Sequence, residues 1–148
     1  MEFKSFIPFV EMLGFELLKF EEGEAEIALT LRDELCNSWS VAHGGVTMTL
    51  LDVAMAHAAR SPNKGGAEGQ SNGIGVVTIE MKTSFMRPGL GRLLAKGRRV
   101  HATASLAFCE ATVLDEKGAL VAQATGTFKY LKGLPAGGRK IHRDNASD

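Results

Sequence analysis

HGGVTMTLLDVAMAHAA, residues 43–59, carries the strongest helix signal in the chain. Val46, Met48, Leu50, Leu51, Val53, Ala54 and Met55 make it apolar almost all round, and Ala54, Ala56, Ala58 and Ala59 raise its propensity. A helix that is apolar on every side is expected to be buried. One apolar helix needs a sheet to wrap it, so the fold turns on what flanks these residues.

Upstream, Phe6, Phe9, Val10 and Leu13 fall at helical spacing within residues 5–13. Ser5 is the expected cap, Pro8 lies in the first turn and Gly14 ends the helix. Residues 15–20 and 24–31 read as two strands around the turn Glu21-Glu22-Gly23. In the second, Ala25, Ile27, Leu29 and Leu31 alternate with Glu24, Glu26, Ala28 and Thr30, the mark of a half-buried strand. Residues 32–42 have no period and read as a loop.

Downstream, residues 60–73 are polar and Gly-rich, as in a mobile loop. Strands are expected over 74–86, 92–101, 103–114 and 119–131. Arg87-Pro88-Gly89 closes the first, and Asp115-Glu116-Lys117-Gly118 separates the last two. Short turns between successive strands imply antiparallel pairing. The expected class is α+β: one domain over residues 1–131, an antiparallel sheet of about six strands wrapped around one long central helix. A flexible, Gly- and charge-rich tail over 132–148 follows.

With 148 residues the chain fits one domain, and such a domain buries roughly 70% of its unfolded surface. Its 17 basic and 17 acidic residues cancel, which argues against nucleic acid as a partner but not against a local basic rim. Cys36 and Cys109 form neither a disulfide framework nor a metal-ligand spacing, and reduced thiols suit the cytoplasm. The N-terminal stretch is interrupted by Glu2, Lys4, Glu11 and Glu16, unlike a signal peptide. No apolar run reaches the roughly 18 residues of a membrane span.

Asp52 stands alone as a carboxylate on the apolar helix, where burial without a partner is costly. Two readings stand: a side chain turned to solvent or capping a neighbour, or a nucleophile or general base at a cleft. His43-Gly44-Gly45 opens the same helix. A helix start presents unpaired N–H groups and the positive end of the dipole, and glycines let a ligand approach the backbone. Such donors can hold a thioester carbonyl and its developing oxyanion; the plainer reading is a sharp entry into the helix. Nine residues separate His43 from Asp52, about 2.5 turns and roughly 13 Å of rise. Both ends serve one site only if they come from two subunits, which predicts a dimer with the site at its interface.

Asn37 is either an amide that orients water or a carbonyl, or an Asx-turn residue. Trp39 is either a wall for an apolar ligand or a partly buried anchor. Thr78, within a strand, hydrogen-bonds a water or Asp52, or simply suits a strand. Arg87, Arg92, Lys96, Arg98 and Arg99 cluster near two strand ends, as a solvated face or as a contact for the phosphates of a nucleotide-bearing ligand.

The spacing Asn37-x5-His43-Gly44-Gly45-x6-Asp52 resembles the hotdog-fold acyl-CoA thioesterases, nearest to the phenylacetate-pathway and second 4-hydroxybenzoyl-CoA thioesterase groups. VVTIEMKTSFMRP (76–88) and GALVAQATGTF (118–128) are similar to that family's central and last strands. The resemblance spans residues 5–131 and implies hydrolysis of acyl-CoA to a carboxylic acid and free CoA. It implies Asp52 as nucleophile or base, the Gly44 N–H on the thioester carbonyl, Asn37 positioning water or the carbonyl, His43 supporting the loop and Thr78 orienting the water. Gly45, Trp39, Phe85 and Met86 are the expected acyl contacts, and Arg87, Arg98 and Arg99 the expected CoA contacts. It further implies a homodimer assembling into a homotetramer, with no cofactor and no metal. Ala56 stands near the place where such enzymes often carry a glycine. Two other readings are an acyl-thioester hydratase or dehydratase, which needs a histidine and an acid close together, and a non-catalytic acyl-CoA-binding protein.

Overall fold

The computed structural model describes residues 1–63, 75–134 and 137–143. Residues 64–73 of the mobile loop expected over 60–73, and residues 135–136 and 144–148 of the tail expected from 132, lie outside these residues. In chain order the elements are α1 (Pro8–Leu13), β1 (Glu16–Glu21), β2 (Glu24–Thr30), a 3-10 turn (Asp33–Leu35), α2 (Gly44–Arg60), β3 (Gly75–Phe85), β4 (Arg92–Ala102), β5 (Leu106–Leu114) and β6 (Leu120–Leu131).

All six strands form one antiparallel sheet in the order β1-β2-β4-β5-β6-β3. The α+β architecture of one sheet around one long helix is as expected. Chain order does not give the strand order. β3 follows α2 directly, yet lies at the far edge, paired with β6.

α2 packs on the inner face of the sheet. Leu50, Leu51, Ala54 and Met55 are fully buried and pack in the core with Ile27, Leu29, Leu93, Val113 and Phe128. The approach is tight at Gly97 on β4: a Cβ there would stand 2.4 Å from the Ala54 carbonyl oxygen. Only a residue without a side chain lets the helix backbone lie on the strand there. The outer face is polar, and the register sets Glu24 beside Arg98 and Arg98 beside Glu110 across three strands.

The helix is not covered all round. Gly45, Met48, Thr49, Asp52, Ala56 and Arg60 form an exposed or half-buried stripe that runs beside β3. The sheet ends at β3 on this side, so no further strand covers the stripe. α1 also differs from expectation. It begins at Pro8, with Ile7 as an extended N-cap (φ −119°, ψ 100°) and no side-chain cap bond, so Ser5 is not the cap. Proline disfavours helical backbone in the residue before it. Gly14 ends the helix in the left-handed conformation at φ 78°, as expected.

Candidate active site

Asp52 lies half-buried on the open stripe of α2. The Thr78 hydroxyl, on β3, donates a 2.7 Å hydrogen bond to Asp52 Oδ1. β3 carries a bulge at Ile79: Thr78 pairs with Phe128 and Glu80 with Thr127, leaving Ile79 extra. Thr78 shares the inner side of the strand with its buried partner Phe128, so its hydroxyl is aimed at the helix. Of the two readings of Thr78, the bond to Asp52 is the one present.

At the head of α2, His43 is the N-cap and its Nδ1 accepts from the Gly45 N–H at 2.9 Å. The N–H groups of Val46 and Thr47 donate to the His43 carbonyl. The Gly44 N–H has no partner among the described residues. The Phe85 ring, at the end of β3, lies against Gly44: a Cβ there would be 3.7 Å from it. Gly44 and Asp52 are eight residues apart on one helix, about 12 Å of rise. Within one protomer the carboxylate and the unpaired N–H are thus set far apart.

The preceding loop is tied back on itself. Asn37 Oδ1 accepts from the N–H groups of Trp39 at 2.9 Å and Val41 at 3.4 Å, as in an Asx turn. Its amide oxygen therefore holds the loop, while its NH2 donates to nothing among the described residues. Trp39, at the tip, is 83% exposed. Met86 is also exposed.

The basic residues do not gather. Arg98 is on the outer face, ion-paired with Glu110. Arg99 donates to the carbonyls of Ala59 and Ser61 and to Asn63 Oδ1, capping the C-terminus of α2. Arg87 donates to the Leu120 carbonyl, and Arg92 contacts Glu16, Thr30 and Glu116. Lys96 pairs with Glu26 at 3.7 Å. Arg98 and Lys96 line a groove of about 770 Å³ on the outer face, the side of the sheet away from Asp52.

His57, on α2, is buried and stacked edge-on by Phe3 and Phe20, with Nδ1 bonded to the Val53 carbonyl at 2.8 Å. Burial, helped by nearby Arg60, pushes its pKa down to about 4. Cys109 is buried in the core, where desolvation lifts the thiol to about 12. Among the described residues no group of His, Cys, Asp and Glu could hold a metal ion. Sequence reasoning does not single out Arg60. The signal that could have found it is its spacing from Asp52, eight residues along the stripe that also carries Ala56.

The profile of the thioesterase superfamily matches residues 40–122, which take in α2 with Asp52 and Gly44, and β3 with Thr78. The chain belongs to this superfamily. Medium/long-chain acyl-CoA thioesterase YigI of Escherichia coli K12 is 28% identical over 131 residues, covering 82% of this chain and 84% of the relative. A mutant of the phenylacetic acid degradation protein PaaI from Thermus thermophilus is 31% identical with a TM-score of 0.70, covering 84% of this chain and 100% of that one. The Escherichia coli PaaI protein from the phenylacetic acid degradation operon, 23% identical with a TM-score of 0.73, covers 84% of this chain and 85% of its own and shares the fold. The single sheet wrapped on α2 is thus the hotdog fold of this thioesterase superfamily. Among the described residues no helix is long and apolar enough to cross a membrane.

Proposed function

We propose that the protein hydrolyses acyl-CoA thioesters, with Asp52 of one subunit acting on a thioester carbonyl held at the Gly44 N–H of its neighbour. The observation that carries this reading is the Thr78–Asp52 hydrogen bond, which holds the carboxylate on the open stripe. The Gly44 N–H, unclaimed among the described residues, supports its use as oxyanion donor. With Asp52 as base, water adds to the carbonyl carbon, the C–S bond breaks, and the proton taken from water passes to the departing CoA thiolate. With Asp52 as nucleophile, its attack breaks the C–S bond and releases the thiolate first, and water then splits the anhydride to free the acid and restore Asp52. Thr78 and Asn37 position Asp52 or the water, and His43 holds the turn at Gly44. Gly45, Trp39, Phe85 and Met86 face the acyl group, while Arg87 and Arg99 are the basic residues proposed for the CoA phosphates; Arg98, on the outer face and paired with Glu110, is not among them. Neither cofactor nor metal takes part.

The exposed edge of β3 supports a homodimer. It is an 11-residue edge strand, and Val77, Ile79 and Phe85 on it are exposed. Long apolar edges are covered in stable proteins. Pairing two such edges in a homodimer brings the open stripes of two α2 helices together, and two dimers form the homotetramer. The free thiols Cys36 and Cys109 suit a cytoplasmic location. A hydratase needs a histidine free beside the acid; within one protomer the side chain bonded to Asp52 is Thr78, and His43 Nδ1 is taken by the Gly45 N–H, which supports hydrolysis instead.

The test is Asp52→Asn assayed with a series of acyl-CoAs and a thiol reagent. A loss of about 100-fold or more is expected for a missing base or nucleophile. Turnover near wild type overturns the assignment.

A further inference from the structure

Arg60 is the last residue of α2 and is half-buried. An arginine at a helix C-terminus ordinarily serves the last carbonyls and the negative end of the dipole. Here that work is done by others. The Ala59 carbonyl accepts from Arg99 and from the Tyr130 hydroxyl, the Ala58 carbonyl accepts from Ser61, and the Ser61 carbonyl accepts from Arg99. Arg60 itself makes no hydrogen bond and no ion pair among the described residues. His57, three residues earlier on the helix, is uncharged at neutral pH. Burial works against the charge of Arg60, and a half-buried cation without an anion is costly.

The guanidinium also has a definite place. Its Nη1 lies beside Gly75, 3.9 Å from where a Cβ there would stand, at the start of the strand that carries Thr78. Asp52, Ala56 and Arg60 follow one another at four-residue intervals on the open stripe. Between the carboxylate and the arginine, the helix offers only the methyl group of Ala56. Asp52 and Arg60 are about 12 Å apart along the axis.

Building on the thioesterase reading, we infer that Arg60 is an anion subsite of the substrate cleft, taking a carboxylate or phosphate oxygen of the thioester ligand. Two parts of such a ligand have this chemistry: a carboxylate at the far end of the acyl chain, and a phosphate of CoA. A guanidinium suits either through paired N–H donors.

The experiment measures binding to the intact chain in an Asp52→Asn background, with Arg60, Arg60→Gln or Arg60→Lys. The ligands are octanoyl-CoA, the mono-CoA thioester of octanedioic acid, and octanoyl-pantetheine, which lacks phosphate. Wild-type turnover of each is recorded in parallel, and thermal unfolding checks that each variant folds. Loss of a charge-assisted bond weakens binding by about 10- to 100-fold. If the anion is an acyl carboxylate, Arg60→Gln weakens the octanedioyl ester alone. If it is a CoA phosphate, Arg60→Gln weakens both CoA esters and spares octanoyl-pantetheine. In either case Arg60→Lys recovers part of the loss. A wild type that cleaves these esters while Arg60→Gln binds all three as before, or weakens all three equally, overturns the inference alone. So does an Arg60→Gln variant that changes only the assembly mass. A wild type that neither binds nor cleaves any of the three overturns the thioesterase reading together with the inference.

Discussion

The Thr78 hydroxyl donates to Asp52 Oδ1 across the seam between β3 and α2, 2.7 Å away and 26 residues along the chain. The bond fixes one carboxylate oxygen, and in the proposed reaction the other is the one that acts. Thr78→Val keeps the side-chain shape and removes the donor. For hydrolysis of an acyl-CoA, kcat is expected to fall about tenfold or more with KM within about twofold, since a bond to a charged group is lost. Thr78→Ser should recover most of the rate. A valine variant with wild-type kcat would show that the bond does not serve catalysis.

Ile79 is the extra residue of the β3 bulge and is 54% exposed on the sheet edge. A lysine on an edge strand opposes pairing with a second edge. Ile79→Lys is expected to halve the particle mass in light scattering and to remove activity with it, because each proposed site needs two subunits. Unchanged mass would place the interface elsewhere.

Gly97 meets the backbone of Ala54, with the carbonyl oxygen 2.4 Å and the carbonyl carbon 2.7 Å from the place a methyl group on Gly97 would occupy. Neither is a flexible side-chain end, so the helix must move. Gly97→Ala is expected to lower stability by about 1–3 kcal/mol in urea titration, the usual range for overpacking.

His57 makes stability depend on pH. Its folded pKa is about 4, against about 6.5 in an unfolded chain. Above pH 6.5 both states are neutral and the residue adds no slope. As pH falls from 6.5 toward 4 the unfolded state takes up a proton that the folded state refuses, and stability drops by about 3 kcal/mol in total. Below pH 4 this contribution levels off. His57→Leu should remove that part of the slope in denaturant titrations between pH 4 and 7; a slope unchanged by the substitution would assign it to other groups.

Much of this architecture can be read along the chain because it depends on local pattern. The apolar run after His43 specifies α2, and alternation marks β2. Gly14 and Gly23, at φ 78° and 77°, and Gly118, also at 77°, stop or turn the chain where glycine tolerates positive φ. Asp52 is legible because a carboxylate in an apolar helix is conspicuous, and its hydroxyl partner is among the sequence candidates. Ser5 is a misleading guide to the start of α1, whereas Pro8 already restrains Ile7 to extended backbone.

Other features depend on residues far apart in sequence. The seating of β3 beside β6, the bulge at Ile79 and the open stripe on α2 all follow from which strands become neighbours. The arginines show the same limit. Arg98 and Arg99 are adjacent in sequence but point to opposite sides of β4, one toward Glu110 and the other toward the end of α2. Charge counting cannot separate them, whereas strand alternation could have.

The place of β3 also has a bearing on biosynthesis. Its ladder partner within the chain is β6, the last strand to be made, and Gly75 pairs with Leu131 at the very end of it. Chains fold from the N-terminus as they leave the ribosome, so the strand that holds Thr78 waits for its neighbour until nearly the whole of the sheet has emerged. A nascent chain stopped before residue 120 can form the β1-β2-β4-β5 ladder and still have no fixed position for the hydroxyl that orients Asp52. The site is therefore among the last features to form, and a partly synthesised chain carries the helix and its acid without the means to aim it.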